Sequence, residues 1–185
     1  MSRESSSSAW DLNAFASWLH GRLPPDQDLD PKGCAKLATK IAKQRKFWDR
    51  FVHHDPDTRY FHQLYRVPLL DVWLICWLNA QDTGYHDHDL SSGAVYVVEG
   101  TLFEDYFHRG EDGWIREQTR QHDPGSLIQF DAAYIHGLRH AGGPPATSVH
   151  VYSPALWRMG HYEPDPTGIV RRMSITYADE LSTSA

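Results

Sequence analysis

Short apolar or alternating segments fill most of this chain, and their repetition restricts the fold more than any other feature. From Arg59 onward they recur roughly every eight to twelve residues, separated by turn sequences rich in Gly, Pro and Asp. The sequence predicts strands at 59–66, 70–79, 84–88, 93–99, 101–108, 113–119, 126–130, 134–139, 147–153 and 168–176. This pattern is typical of an all-β barrel or sandwich.

Helical patterns precede the strands. Apolar residues lie close to helical spacing between Trp10 and Leu19, which predicts an amphipathic helix there. A second helix is predicted from Pro31, a residue tolerated at the first helical position, to about Phe51, with or without a break along its length. A short final helix is predicted at 177–181.

Length and composition fit one globular domain. The chain has 185 residues, of which 41% are hydrophobic and 23% charged, enough for a single core. The polar, Ser-rich residues 1–9 are predicted to form a disordered tail. The predicted domain covers 10–185, with a helical cap at 10–54 and a β-barrel at 58–176.

Charge and apolar runs exclude several classes of partner. A net charge of −6 argues against nucleic acid, which favours a basic surface. The longest apolar run, about 72–78, is too short to span a membrane, and the start of the chain does not resemble a signal peptide. Only Cys34 and Cys76 occur, and Cys76 lies in an apolar run, so we expect a reducing, cytoplasmic location.

Two histidines separated by one residue, His86 and His88, indicate a metal site. On an extended strand both point to the same side and can reach one ion. Such a pair is weak on its own and needs a further imidazole, for which His136 is the best candidate and His140 a competitor. The remaining histidines are interpreted as solvated or structural, namely His20, His53, His54, His62, His108, His122 and His161.

The segment from Gly84 to Gly100 resembles the first motif of the cupin superfamily. That motif normally carries a Glu four or five residues after its second His, where this chain has Gly93, and His136 matches the histidine of the second motif. The resemblance therefore implies a three-histidine site. It also implies a cupin double-stranded β-helix, a jelly-roll-like barrel, with the predicted helices as an N-terminal cap.

Three neutral imidazoles leave open positions on a metal where a substrate and dioxygen can bind together. Imidazole suits iron, zinc, copper and nickel, so the ligands alone do not choose the metal. A closed structural zinc site is four-coordinate and usually rich in Cys, and this chain offers no suitable thiolates.

Within the cupins, the chain is similar to the cysteine dioxygenase type I family from about Thr58 to Pro154. In that family a Ser-x-His-x-Tyr segment forms a hydrogen-bonded relay whose Tyr hydroxyl points at the iron site. Ser148, His150 and Tyr152 match this segment, and alternation places them on one face of a strand.

The resemblance to this family also favours one of the two candidates for the third ligand. It places that ligand fourteen or fifteen residues before the relay histidine. His136 lies fourteen residues before His150, whereas His140 lies only ten before it. The resemblance therefore selects His136 and leaves His140 as a candidate second-sphere residue.

In cysteine dioxygenases an arginine near the start of the barrel holds the substrate carboxylate, for which a bidentate guanidinium is suited. Arg59 lies at about the matching distance before His86, and Arg66 is an alternative. Animal members have a cysteine at the position of Gly93, which cross-links to the relay tyrosine. Gly93 implies an uncrosslinked Tyr152 and a likeness to the bacterial branch, some of whose members prefer 3-mercaptopropionate or other small thiols.

The resemblance implies a mononuclear non-haem Fe(II) enzyme that converts a small thiol, L-cysteine first, to its sulfinic acid with O2. It implies a cytoplasmic monomer with no nucleic-acid or membrane partner. Three alternatives stay open, namely a dioxygenase for another thiol such as 3-mercaptopropionate, a different dioxygen-using or hydrolytic cupin, and a non-catalytic metal-binding cupin.

Overall fold

Two antiparallel β-sheets and two α-helices make up the fold in a computed structural model of the chain. The structure describes residues 12–24, 26–109, 111, 115–164 and 170–177. The strands, in chain order, are β1 Tyr60–Val67, β2 Leu70–Trp77, β3 Tyr85–His86, β4 Ser92–Glu99, β5 Leu102–Arg109, β6 Ile115–His122, β7 Leu127–Phe130, β8 His136–His140, β9 Ala146–Ser153, β10 Arg158–Pro164 and β11 Val170–Tyr177. The prediction of a mostly β fold is confirmed.

The strands form two separately hydrogen-bonded sheets. One has the order β1-β2-β9-β4-β7, and the other has the order β11-β10-β3-β8-β5-β6. Among the described residues no strand pair joins the two sheets, so the predicted barrel is two facing sheets that are not closed into one. β10 was not predicted, because its sequence RMGHYEP lacks both an apolar run and alternation.

The helices cover the outer face of the five-stranded sheet. α1 spans Leu12–His20 and α2 spans Pro31–Ala42. The Asp30 side chain caps α2 by accepting from Gly33 N at 2.7 Å, as an N-cap residue does. The buried face of α2 packs on β4 and β9.

The second helix is shorter than predicted. α2 ends at Ala42, and two single 3₁₀ turns follow at Arg45–Phe47 and Asp49–Phe51. The buried Trp48 folds back so that its indole Nε1 donates at 3.0 Å to Ile41 O, a carbonyl near the helix end that also accepts from Gln44 N at 2.8 Å.

Strand β9 is buried along its whole length, between the helices on one side and the six-stranded sheet on the other. Val149 and Val151 belong to the core beneath the helices, whereas Tyr152 belongs to the core between the sheets. Alternation therefore turns Ser148, His150 and Tyr152 inward, towards the six-stranded sheet.

Two predictions fall on other parts of the chain. The predicted tail at 1–9 lies outside the described residues, as does the predicted final helix except for Tyr177, which ends β11. Within the described ranges, neither helix has the length and apolar character needed to cross a bilayer.

Candidate metal centre

Three buried histidines meet on the inner face of the six-stranded sheet. His86 on β3 lies directly opposite His136 on β8, so both side chains emerge on the same face. His88 follows two residues later, and each ring is at most 4% exposed. One ligand nitrogen from each residue lies within 4.8 Å of the others. The three predicted metal ligands are thus brought together.

The ring nitrogens of this cluster fit a metal ion. His86 Nδ1 lies 3.1 Å from Gly84 O, an acceptor, so the ring donates there and leaves Nε2 as a ligand atom. His136 Nδ1 likewise faces a Glu104 carboxylate oxygen at 3.0 Å. His88 Nδ1 is buried with no hydrogen-bond partner in the described part of the chain. The Nε2 atoms of His86 and His136 are therefore left to bind a metal ion, and neutral imidazole nitrogens suit several divalent metals.

Burial also keeps two of the ligands neutral. Loss of solvent is the main cause that lowers the pKa of His86 and His88 well below the usual value, and the neighbouring histidines add to it. An imidazole must be neutral to bind a metal, so burial favours the metal-binding form of these two side chains.

Glu104 stands behind His136 and was not identified from the sequence. Its carboxylate accepts from His136 Nδ1 at 3.0 Å, from Tyr134 OH at 3.1 Å and from His122 Nε2 at 2.9 Å. Burial alone would raise the pKa of Glu104, but the hydrogen bonds from His122 and His136 outweigh it and bring the pKa to about 2. Burial and Glu104 raise the pKa of Tyr134, so its hydroxyl stays a donor.

Asp87, between the two ligands of the His-x-His pair, anchors this segment to β10. Its Oδ1 accepts from the backbone N–H of Asp89 and of Gly160, both at 3.0 Å. Its Oδ2 accepts from Tyr162 OH at 2.5 Å. Because Asp87 points away from the cluster, it fixes the backbone that carries His86 and His88.

We expect D87A to destabilise the metal-free protein by about 2–3 kcal/mol, because it leaves the N–H of Gly160 and the hydroxyl of Tyr162 without an acceptor. Urea denaturation measures this loss. D89N is the matched control: it removes the charge of Asp89 in a partly exposed ion pair with Arg158 at 2.8 Å, worth about 0–1 kcal/mol, and asparagine tolerates the φ of 53° at this position. Equal losses for both variants would contradict the anchoring role of Asp87.

The predicted relay is present on β9. Ser148 Oγ lies 2.8 Å from His150 Nε2, and His150 Nδ1 lies 3.1 Å from Tyr152 OH. Trp77 on β2 adds a member that the sequence did not reveal, because its Nε1 donates to Ser148 Oγ at 2.9 Å. Burial, then Arg59 and His136, lower the pKa of His150 to about 3, so this imidazole is neutral.

The partners fix the direction of these hydrogen bonds. Trp77 Nε1 can only donate, so Ser148 Oγ accepts from it and uses its own proton elsewhere. The nearer acceptor for that proton is His150 Nε2 at 2.8 Å, against 3.5 Å to Ile75 O. A neutral His150 then carries its proton on Nδ1 and donates to the Tyr152 oxygen. The Tyr152 hydroxyl is left to donate to a molecule bound beside it.

Tyr152 stays protonated in this setting. Burial, followed by the charge of Asp71, raises the pKa of its phenol, and Arg59 opposes them only in part. Tyr152 therefore offers a hydrogen-bond donor, not a phenolate, to the pocket.

One pocket is lined by the three histidines, by His150 and Tyr152 of the relay, and by Arg59. It lies between the sheets, and its cavity volume of about 90 Å³ suits a small molecule. Its lining is mainly apolar, which excludes much water. The lining residues are Arg59, Phe61, Trp73, Ile75, Thr83, His86, His88, Val95, His136, Leu138, His150, Tyr152, Leu156, Met159 and His161.

The two candidate arginines lie in different places. Arg59 lines the pocket, donates to Asp82 O and stacks its guanidinium 5.1 Å from the Trp77 ring centroid. Burial lowers the pKa of Arg59, yet it stays a cation. Arg66 lies outside the pocket lining and forms an ion pair with Asp71 at 3.0 Å.

Two other predicted features are explained by packing. His140 uses both ring nitrogens in the β8–β9 loop, with Pro144 O at 2.9 Å and Gly142 N at 3.1 Å, and is not part of the cluster. At Gly93, a Cβ atom would lie 2.4 Å from the Phe130 ring, so neither a cysteine nor a glutamate fits there without displacing Phe130. Phe130 instead stacks on His88 with 4.2 Å between ring centroids.

His161 is a further pocket residue that the sequence analysis interpreted as structural or solvated. It lies on β10 directly opposite His86, so its side chain shares the face of the metal ligands. The unpredicted strand β10 carries it, and no sequence signal marked that strand. His122 was also interpreted as structural, and its contact with Glu104 makes it part of the support of His136.

A cluster of three histidines that could hold a metal ion, in a pocket between two antiparallel sheets, is the arrangement expected of a cupin metal centre. A model of the cysteine dioxygenase type I family matches residues 7–164. The chain therefore belongs to the cysteine dioxygenase type I family, a family of thiol dioxygenases within the cupin superfamily.

Several solved structures, two of them described as cupins, are similar to the chain at low identity. A cupin-superfamily protein of Desulfitobacterium hafniense DCB-2 is 9% identical, covers 71% of this chain and 94% of its own, and has a TM-score of 0.48. KdgF from Halomonas sp. is 18% identical, the match covers 58% of this chain and 91% of KdgF, and the TM-score is 0.46. The Cnp3 cupin domain of Schizosaccharomyces pombe is 7% identical, with coverage of 56% and 64% and a TM-score of 0.46.

Proposed function

We propose that this protein is a mononuclear Fe(II) dioxygenase that converts L-cysteine to cysteine sulfinic acid. The reaction joins both atoms of one O2 to the thiol sulfur, so RSH and O2 give RSO2H with no other oxidant. The observation that carries the proposal is the single small pocket in which His86, His88 and His136 face Arg59 and Tyr152.

The three histidines would hold the iron. Bound there, Fe(II) would supply the positions at which the thiolate and dioxygen meet, with the thiol deprotonated by coordination. The remaining task of the protein is to bind the rest of the substrate, orient it and exclude water.

Arg59 would bind the substrate carboxylate. Its guanidinium is held by Asp82 O and by the Trp77 ring, so little side-chain freedom remains to be lost when a ligand binds. Its Nε is buried with no partner among the described residues, so the cation still has donors to offer. A guanidinium and a carboxylate match in shape and charge, and the apolar walls strengthen their attraction.

Tyr152 would orient the reacting group. With His150 donating to the phenol oxygen, the Tyr152 hydroxyl proton is directed to an acceptor in the pocket. Ser148 and Trp77 fix the tautomer of His150 and thereby the direction of that donation. Such preorganised donors act where negative charge develops during a reaction.

The proposal includes a cytoplasmic monomer acting on a small thiol and O2. Its support is that Cys34 and Cys76 are both free and buried, as is common in reducing compartments. Burial raises the pKa of Cys34 to about 12, so this thiol is unreactive at neutral pH.

The deciding experiment is anaerobic loading with Fe(II), followed by oxygen uptake with L-cysteine, 3-mercaptopropionate and cysteamine in parallel. We expect L-cysteine to gain two oxygen atoms, detected by mass spectrometry, with one O2 consumed per sulfinate formed. Removal of the metal with a chelator is expected to abolish uptake. Metal-free protein with added substrate is the control for non-enzymatic oxidation.

The alternatives give different results in the same assay. Faster sulfinate formation from 3-mercaptopropionate would assign another thiol to the same chemistry. Iron binding without oxygen uptake from any of the three thiols would contradict the proposal. It would leave a cupin that acts on another substrate or only binds metal.

A further inference from the structure

Glu104 is a fully buried carboxylate in a position where β5 would ordinarily carry an apolar residue. It points inward with Leu102, and both side chains are 0% exposed. A buried carboxylate is costly unless several donors satisfy it. One of the donors that satisfy Glu104 is the candidate metal ligand His136, so the carboxylate is placed to act on that ligand.

The donors to Glu104 come from three parts of the chain. His136 lies on β8, His122 ends β6, and Tyr134 precedes β8. One carboxylate oxygen accepts from His136 and Tyr134, and the other accepts from His122. The carboxylate is thus clamped from both sides, and His136 receives a rigid partner.

The three candidate metal ligands differ in the hydrogen-bond partner of Nδ1, the ring nitrogen that does not face the metal. His136 has a carboxylate, His86 has the backbone carbonyl of Gly84, and His88 Nδ1 has no partner among the described residues. A carboxylate that accepts from one ring nitrogen fixes the tautomer and makes the other nitrogen more basic. His136 is therefore the ligand of the set whose ring orientation is held by a charged partner.

We propose that Glu104 is a positioning residue that holds His136 with Nε2 towards the metal and thereby sets the metal affinity of the site. His122 and Tyr134 hold Glu104 in turn. This inference rests on the proposed function, because it concerns the same three-histidine site.

The test is Co(II) binding to the full-length protein under anaerobic conditions, followed by visible absorption and calorimetry. E104Q keeps the size of the side chain but removes its charge and replaces one of its two accepting oxygens with an NH2 donor. We expect its Co(II) affinity to fall about 10- to 100-fold, the usual effect of losing an outer partner of a metal ligand. We also expect a shifted Co(II) absorption band, because the ligand field of His136 weakens.

D71N is the matched control. Asp71 is also 0% exposed and accepts hydrogen bonds from Arg66 and Gln63, but it contacts none of the three metal ligands by hydrogen bond or ion pair in the described chain. D71N is expected to leave the Co(II) affinity and spectrum unchanged, whatever it does to thermal stability. The metal-free melting temperature of each variant separates a general loss of stability from a change at the site.

The outcomes separate the inference from the function. Wild-type protein that fails to bind Co(II) overturns the metal site and the inference together. Wild-type binding with an unchanged affinity and spectrum in E104Q overturns the inference alone. If E104Q does not fold, Y134F and H122Q replace it, because each removes one hydrogen-bond partner of the Glu104 carboxylate. A Co(II) affinity below that of the wild type in both variants, with a smaller loss than the 10- to 100-fold expected for E104Q, supports the inference. Wild-type Co(II) affinity in both variants overturns it.

Discussion

H136A is expected to abolish sulfinate formation and to weaken metal binding by more than about 10³-fold, well beyond the 10- to 100-fold effect of losing an outer partner. His136 is one of the three candidate metal ligands found among the described residues, and it is the one that contacts Glu104. With two ligands left on the β3 segment, the ion has no protein contact on β8. Metal content after desalting and oxygen uptake with L-cysteine measure the two effects.

H140A is the matched control for H136A. His140 lies on the same strand, is also buried, and uses its ring nitrogens to close the β8–β9 loop. We expect H140A to lower stability while keeping stoichiometric iron. If H140A lost iron and H136A kept it, the assignment of the third ligand would be wrong. The two variants together therefore show which of the two candidate histidines is the third metal ligand.

Alternation along strands is the part of the fold that the sequence determines well. On β9 the valines at 149 and 151 turn towards the helices while the relay residues turn inward, which a period of two requires. The metal cluster was predictable for the same reason, since His86 and His88 share a face. The prediction that His136 is the third ligand depended on the family resemblance, because sequence spacing does not reveal which strands pair.

The support of the site could not be predicted from sequence. Glu104 lies in the run Leu102-Phe103-Glu104-Asp105, where a charged residue normally indicates a solvated face. Its burial follows from three donors that are 18, 30 and 32 residues away. Asp87 was likewise passed over, because its partner strand β10 has no strand-like pattern. Charged residues buried by long-range partners leave no local trace.

R59Q is expected to lower kcat/KM for L-cysteine and 3-mercaptopropionate by about 10²- to 10³-fold, the effect of losing about 3–4 kcal/mol of a buried charge pair. Cysteamine has no carboxylate, so its turnover should change little. The ratio of kcat/KM for the carboxylate-bearing thiols to kcat/KM for cysteamine therefore falls, as expected when the contact with the carboxylate is lost. A general loss of stability or of metal would instead lower all three rates together.

R66Q decides between the two arginines. Arg66 is engaged with Asp71 and stacks 5.4 Å from the Trp157 ring, outside the pocket lining. We expect R66Q to keep the preference for carboxylate-bearing thiols, with iron content and melting temperature recorded for both variants. If R66Q lost the preference for carboxylate-bearing thiols and R59Q kept it, Arg66 and not Arg59 would be the residue that binds the substrate carboxylate. Such a result would require the substrate to extend beyond the described pocket, because Arg59 is the arginine that shares the pocket lining with the metal ligands.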